Sequence, residues 1–302
     1  MRRSGPALAL AVLLLTLLAP RHARAGSVVL LRSGELEAYN AAADGFRRAH
    51  SGRIVDLLLT GAGPGDLERA IAREHPDCVV AVGLRAAIFA RDRLPRVPIV
   101  YCAVQNPEEH DLAGAWITGV RTEVSPEAEL AALRRAVPDA KRVGLFFGQV
   151  AETRVLERAR AAAAQSGIEL VEARIAGLGD LAHTARDLAP RVDALWMPAD
   201  PVLATPEAFR FLLELSLRMR RPLFVFSDAL VRAGAYAGLE PDFEHAGALA
   251  EQAVQRIRAG ERAGDIPVAR EKEARLVINQ STARAMGRDV PHDLGSQVEV
   301  LP

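Results

Sequence analysis

The sequence predicts an α/β protein with two similar lobes, each built on a parallel sheet and joined to the other by three hinge crossovers. Two stretches on either side of the segment WITGVRTEVSPEAEL (116–130) show the same order of elements. Each has two strands, a helix beginning near Gly-Asp-Leu with its following strand, and a strand led by a basic residue and a proline. Short apolar runs alternate with amphipathic segments, which is typical of buried parallel strands between helices. A repeat of about a hundred residues indicates two Rossmann-like lobes rather than a solenoid.

The first lobe is predicted to alternate strands with helices. We expect strands at 27–31, 53–59, 78–82 and 97–103, and helices at 35–49, 66–74 and 83–90. In the first helix, apolar residues recur at helical spacing, namely Leu36, Tyr39, Ala43 and Phe46. The lobe is expected to comprise residues 26–119 plus 241–262.

The second lobe repeats this order and is expected to comprise residues 124–238 plus 266–290. Its strands are predicted at 142–147, 169–175, 194–197, 223–226 and 235–237, and its helices at 152–165, 180–188, 206–218 and 228–232. Residues 275–279 and 281–286 complete it, and residues 291–302 are expected to form a loose tail.

The chain is predicted to cross between the lobes three times. The first crossing is expected at 118–124, before a helix that starts at Ser125 and Pro126. A second follows near Gly238-Leu239-Glu240-Pro241, and a third at 264–267. A helix over 243–259 should pack back on the first lobe. The predicted hinge residues are Thr118, Gly119, Gly238 and Glu240.

The first 25 residues have the pattern of a secretory signal peptide. Arg2 and Arg3 precede a 12-residue apolar run, and Ala23-Arg24-Ala25 fits a cleavage site. The run is shorter than the roughly 20 residues that span a membrane, although an uncleaved anchor is the alternative. Because no cysteine follows the run, we expect no lipid anchor. The mature chain is then expected to start near Gly26 and to be located in the periplasm.

Charge and cysteine content restrict the function further. Lys plus Arg and Asp plus Glu both number 38, so a nucleic-acid partner, which needs a basic face, is not expected. Cys78 and Cys102 fall at opposite ends of neighbouring predicted strands. At about 3.3 Å per residue this separation exceeds the reach of a disulfide, so two buried free thiols are expected.

Motifs for catalysis or cofactor binding are weak. Gly61-Ala62-Gly63-Pro64-Gly65 follows the second strand, has the wrong spacing for a dinucleotide fingerprint, and includes a proline that removes an amide donor. The sequence contains no G-x-S-x-G, H-E-x-x-H or C-x-x-C pattern, and its histidines are scattered singly. We therefore predict no catalytic residues, no metal site and no cofactor.

Small and polar residues follow the predicted strands at their carboxyl ends, where open parallel sheets bind ligands. The candidate ligand-binding residues are Ser33, Gly34, Glu35, Tyr39, Gly83, Arg85, Gln105 and Asn106 in the first lobe and Gln149, Asp200, Ser227 and Asp228 in the second. Asp, Ser and Asn at these positions equally suit capping of the next helix, so both roles stay open. In a cleft, Asp200 and Asp228 would pair with an amino group and Arg85 with an acidic group.

Three stretches together resemble a known family. They are WITGV (116–120), LRRAVPDAKRVGLFFG (133–148), and PLFVFSDALVRAGAYAG (222–238) with the ending INQSTARAMGRDVP. They resemble the periplasmic substrate-binding proteins of ABC transporters, in the group that includes the tryptophan/tyrosine-binding type. The resemblance implies a type I periplasmic-binding-protein fold, one small molecule in the cleft, and permease and ATPase subunits in the inner membrane as partners.

The sequence departs from that family at two points. Members often carry Asp-Pro after the fourth strand, where this chain has Asn106-Pro107, which removes one charge from the cleft. Tyr39 is the nearest candidate for an aromatic platform, and its spacing equally suits the core.

The sequence therefore predicts a monomeric, non-enzymatic component of an ABC importer that captures a small molecule, an amino acid or an analogue, by hinge closure. A periplasmic protein that reports to a signalling receptor and a Rossmann-like enzyme are the alternatives.

Overall fold

The computed structural model describes residues 26–302 except 62, 149–152, 201, 293, 295 and 296. The predicted signal peptide and Gln149 therefore lie outside the described residues. Within the described part, no helix is long and apolar enough to cross a membrane.

The first lobe is a six-stranded parallel sheet with helices on both faces. Its strands are β1 (Val28–Arg32), β2 (Ile54–Leu58), β3 (Cys78–Val82), β4 (Ile99–Val104), β5 (Ile117–Arg121) and β11 (Ala269–Arg270), in the order β11-β5-β4-β3-β1-β2. Its helices are α1 (Glu37–Ala49), α2 (Pro64–Glu74), α3 (Leu84–Arg93) and α9 (Phe243–Arg258). In β1, Val28 and Leu30 pack towards α1 and α9, whereas Val29 and Leu31 pack towards α2 and α3. Burial on both faces explains the continuous apolar runs.

The second lobe is a seven-stranded sheet. Its strands are β6 (Arg142–Gly148), β7 (Glu169–Ile175), β8 (Ala194–Met197), β9 (Leu223–Val225), β10 (Ala237–Pro241), β12 (Ala274–Asn279) and β13 (Val298–Leu301), in the order β13-β12-β10-β9-β8-β6-β7. Its helices are α4 (Pro126–Ala136), α5 (Thr153–Gln165), α6 (Leu178–Leu188), α7 (Pro206–Met219), α8 (Asp228–Arg232) and α10 (Gln280–Ala285). All the pairings are parallel except that between β10 and β12. Two Rossmann-like α/β lobes confirm the predicted fold class.

The chain passes between the lobes after β5, after β10 and after β11. Thr118 and Gly119 lie inside β5 and not between the lobes. The Thr118 hydroxyl donates to the Ile266 carbonyl at 2.9 Å, and a side chain at 119 would lie 2.4 Å from the Tyr101 ring. Gly238 and Glu240 likewise lie inside β10. A side chain at 238 would approach the Val225 carbonyl to 2.8 Å, so this glycine permits close packing rather than breaking the strand.

The third crossing comes later than the sequence predicts. Residues 264–267 stay with the first lobe, where the Gly264 N–H donates to the Ala115 carbonyl at 3.1 Å. The chain then forms β11 beside β5 and leaves the first lobe at 271–273. The prediction of a loose tail is also wrong at its end, because β13 pairs with β12 and Leu301 is buried in the core.

Two further expectations are confirmed. Cys78 and Cys102 are buried free thiols. Helix α9 returns to the first lobe and packs on α1. The two helices approach so closely that an added side chain at Gly45 would lie 1.8 Å from the Glu244 carbonyl oxygen, and one at Gly247 would lie 2.0 Å from that of Ala42.

Candidate functional site

The first lobe brings Ser33, Tyr39 and Gly83 together at the carboxyl ends of β1 and β3. The buried Ser33 hydroxyl accepts the Ala86 N–H at 2.9 Å, so β1 caps the helix that follows β3. Gly83 has a φ of +86°, and a side chain there would lie 2.6 Å from Tyr39 Cζ and 2.7 Å from Ser33 Oγ. Only glycine combines this conformation with this space, so the Tyr39 ring rests on the backbone of the strand end.

Arg85 borders the same cluster. Burial raises the pKa of Tyr39, and the nearby Arg85 guanidinium opposes that rise. Arg85 is exposed at the start of α3 and also lines a groove of about 400 Å³ with Leu59, Ile88 and Phe89. Within the described residues its guanidinium has neither a hydrogen bond nor an ion pair. The cluster thus offers a free cation beside a phenol ring and apolar side chains.

The other first-lobe candidates lie around this cluster. Glu35 is exposed and pairs with Arg32 at 3.2 Å, and Gly34 lies beside it. Gln105 is exposed, and Asn106 adopts a φ of +45°. The Asn106 N–H donates to the carboxylate of Glu123, which lies in the first crossing. The Asn-Pro turn is therefore tied to the hinge region.

In the second lobe, Asp200 is engaged by backbone groups. Its carboxylate is buried and accepts the N–H of Gly148 and the N–H of Val202, each at 2.8 Å. A side chain at 148 would lie 2.9 Å from the carboxylate. Asp200 thus links the end of β6 to the loop after β8, and its charge is compensated by two dipoles.

Asp228 belongs to a charged cluster beside β10 and β12. Its buried carboxylate pairs with Arg232 at 2.7 Å and with Arg275 at 3.3 Å. Glu240 lies 3.5 Å from Arg275, its partner across the strand pair. Ser227, at the N-cap of α8, is half-buried and its side chain makes no capping hydrogen bond.

This cluster also reaches the other lobe. Burial is the largest cause that raises the pKa of Glu240, and repulsion by the Asp228 carboxylate raises it further. Repulsion by Glu37, in the first turn of α1 of the other lobe, acts in the same direction. Two carboxylates from different lobes therefore lie close enough to repel each other. Sequence reasoning missed Glu37, Arg275 and Glu123. Glu37 is two residues before Tyr39 in the same helix, which is the one signal that pointed to it.

No group of three His, Cys, Asp or Glu side chains in the described ranges is arranged to hold a metal ion. The site is thus a set of polar, charged and aromatic groups along the facing edges of two sheets.

The comparison that decides the family covers most of the sequence. Residues 65–297 match the family described as ABC transporter substrate binding protein. This chain belongs to that family.

Known relatives agree with this assignment. This chain is 23% identical over 221 residues to the tyrosine-binding protein of Clostridioides difficile. The match covers 70% of this chain and 64% of that relative. The chain thus spans less than two thirds of that relative's length.

Solved structures show the same fold. One is the ligand-free, open form of a substrate-binding protein with adhesive properties from Clostridium difficile, with a TM-score of 0.74 and 20% identity over 91% of this chain and 99% of that one. Another is an ABC domain in complex with L-Trp from Streptococcus pneumonia, with a TM-score of 0.66 and 17% identity over 91% of this chain and 99% of that one. The type I periplasmic-binding-protein fold expected from the resemblance is confirmed.

Proposed function

We propose that this protein is the periplasmic ligand-binding component of an ABC importer and that it captures an aromatic amino acid between its two lobes. The observation that carries the proposal is the position of Arg85, which has no partner among the described residues, beside Tyr39 at the strand ends of a chain that belongs to this family. A relative named for tyrosine binding and a structure holding L-Trp support the ligand class.

Each part of an aromatic amino acid has a complementary group. Arg85 is proposed to bind the carboxylate, because an arginine forms strong paired hydrogen bonds with that group. The Tyr39 ring and the apolar groove beside Arg85 are proposed to contact the aromatic side chain. Glu37 and Glu240, which lie close together across the lobes, would favour an ammonium group between them.

Capture would proceed by differential binding. A ligand that contacts both lobes favours the closed form by the free energy of its additional contacts, and by no more than that. The proposed bending points are the three crossings at 122–125, 241–243 and 271–273. The closed form would then present both lobe edges to the permease, and the ligand would leave unchanged.

Calorimetric titration with a matched set of ligands tests the proposal. L-tyrosine or L-tryptophan should bind, whereas tyramine, which lacks the carboxylate, and desaminotyrosine, which lacks the ammonium group, should bind far more weakly. Equal affinity for tyramine and L-tyrosine would contradict the role given to Arg85. Failure of every aromatic amino acid to bind would contradict the ligand class.

A further inference from the structure

The second and third crossings meet at one buried carboxylate. Glu271 lies between β11 of the first lobe and β12 of the second, and its side chain is 0% exposed. Its N–H donates to the Arg121 carbonyl at 2.8 Å, where the first crossing begins. All three connections between the lobes therefore converge on this residue.

The two oxygens of the Glu271 carboxylate contact groups that belong to different lobes. Oε2 lies 2.8 Å from His245 Nδ1, in the first turn of α9, which packs on the first lobe. Oε1 accepts the N–H of Glu273 at 2.6 Å, directly before β12 of the second lobe. We call His245, Glu271 and the Glu273 N–H the hinge brace. Rotation of one lobe on the other changes the backbone at 271–273 and so must change one of these contacts.

The charges around His245 make the brace sensitive to protons. Three carboxylates face the imidazole, those of Glu271, Glu273 and Asp242. They raise its pKa above the ordinary value of 6.5, with the adjacent Glu271 carboxylate as the largest cause and burial acting against it. The imidazole is 41% exposed, so protons reach it from solvent.

Other charged groups near the brace have partners of their own. The residue before His245 in α9, Glu244, pairs with Arg48 of α1. The Arg121 guanidinium pairs with Glu108 and Glu123, so only its carbonyl serves the brace. The Glu273 side chain accepts a hydrogen bond from Gln297 at 3.0 Å. No second cation among the described residues compensates the Glu271 carboxylate.

We propose that the hinge brace is a proton-dependent latch on lobe movement. With His245 protonated, its ion pair with Glu271 holds the lobes in the arrangement of this structure. With His245 neutral, the latch weakens and the lobes rotate more freely. Ligand affinity then depends on external pH through the hinge and not through the ligand site. This inference rests on the proposed closure of the lobes.

Energy transfer between two dyes tests the latch. Leu36 and Leu178 are exposed, at 57% and 44%, and follow the carboxyl ends of β1 in the first lobe and β7 in the second, so Leu36→Cys with Leu178→Cys provides one labelling site on each lobe. The native thiols are buried and stay unlabelled. Without ligand, lowering the pH from about 8 to about 5 should narrow the distribution of dye-to-dye distances around the distance in this structure. The midpoint of this change should lie above pH 6.5.

Two variants isolate the latch. Glu271→Gln keeps the shape and an acceptor for the Glu273 N–H but carries no charge, so the pH response should be lost. His245→Gln should lose it as well, which covers the case in which Glu271→Gln does not fold. The matched control is His183→Gln. His183 forms an exposed histidine–aspartate pair with Asp187 on α6, 3.3 Å apart, and should leave the response intact.

The outcomes separate this proposal from the proposed function. A distance that does not respond to pH, or a response that survives both brace variants, overturns the latch. A distance that shortens when an aromatic amino acid is added at fixed pH supports closure in either case. A distance that stays constant when ligand binds contradicts closure. If the distance still responded to pH in that case, the latch would stand and only its proposed effect on ligand affinity would be contradicted.

Discussion

The role of each buried carboxylate in this protein depends on the groups that contact it. Asp200 lies at a strand end where a ligand would bind, yet both of its oxygens accept backbone N–H groups. Glu129 is buried in the second lobe near the Trp196 indole, and within the described residues no cation pairs with its carboxyl group. Local geometry therefore decides whether an acidic residue recognises a ligand, holds a loop or stays protonated.

Replacing Asp200 with alanine should mainly destabilise the second lobe. The Gly148 and Val202 amides would lose their acceptor, at a cost of about 1–3 kcal/mol in the free energy of unfolding. Asp187→Ala, at a 65% exposed aspartate, should change stability by less than about 0.5 kcal/mol. Urea unfolding of both variants measures this. Lost ligand affinity with unchanged stability in Asp200→Ala would instead show that Asp200 contacts the ligand.

Glu129 should make stability depend on pH. Burial raises its pKa to about 8, from 4.5 in the unfolded chain. The protonated form is thus favoured by folding, so its contribution is fully present below pH 4.5 and is lost as the pH rises through 8. Glu129→Gln, which mimics the protonated acid, should be more stable than the wild type at alkaline pH.

Urea unfolding across the pH range measures the effect of Glu129→Gln. The control is Glu127→Gln on the same helix, where the Arg158 hydrogen bond lowers the pKa of the carboxyl. This variant should keep the alkaline loss of stability. The same alkaline loss in Glu129→Gln as in the wild type would contradict a buried neutral acid.

Arg85→Ala should weaken binding of an aromatic amino acid without destabilising the fold. A charge-assisted hydrogen bond is worth about 1.5–3 kcal/mol, or at least a tenfold change in Kd. Arg218→Ala is the control, because Arg218 is an exposed arginine in the last turn of α7 in the second lobe and lies 3.5 Å from Glu214. Equal losses in both variants would point to a general effect of charge.

Among the elements, the α1–α9 pair depends most on small residues. The Gly247 position lies against the backbone of α1 at Ala42, which cannot move as a side chain can. The returning helix is thereby fixed to the first lobe, and with it the His245 end of the hinge region.

Gly247→Ala should therefore cost about 1–3 kcal/mol, although alanine favours helix. Gly179→Ala in α6 makes the same chemical change where nothing lies within 4 Å, and should be neutral or stabilising by up to about 1 kcal/mol. Thermal unfolding distinguishes them. A stable Gly247→Ala variant would mean that the helices do not pack this closely.

At the scale of the whole molecule, the sequence was sufficient to predict two α/β lobes built on sheets of mostly parallel strands. Repeated apolar runs and short connections carry that information locally. The third crossing was misplaced because β11 has only two residues and no apolar run. The contact between Glu240 and Arg275 depends on the register of two antiparallel strands far apart in sequence, which no local pattern encodes.

The candidate site was predicted less completely than the fold. Ser33, Tyr39, Gly83 and Arg85 do come together, since strand ends in parallel sheets share one edge. The sequence did not show that backbone amides contact Asp200 and that arginines contact Asp228. An aspartate before a helix suits ligand binding and helix capping equally, so its position does not decide between these roles.

The most direct test of lobe closure on a small ligand is small-angle X-ray scattering, recorded with and without a saturating aromatic amino acid. The radius of gyration should decrease when the ligand is added and return after dialysis, with the compound recovered unchanged. Tight binding with an unchanged radius of gyration, or recovery of a chemically altered compound, would contradict the account.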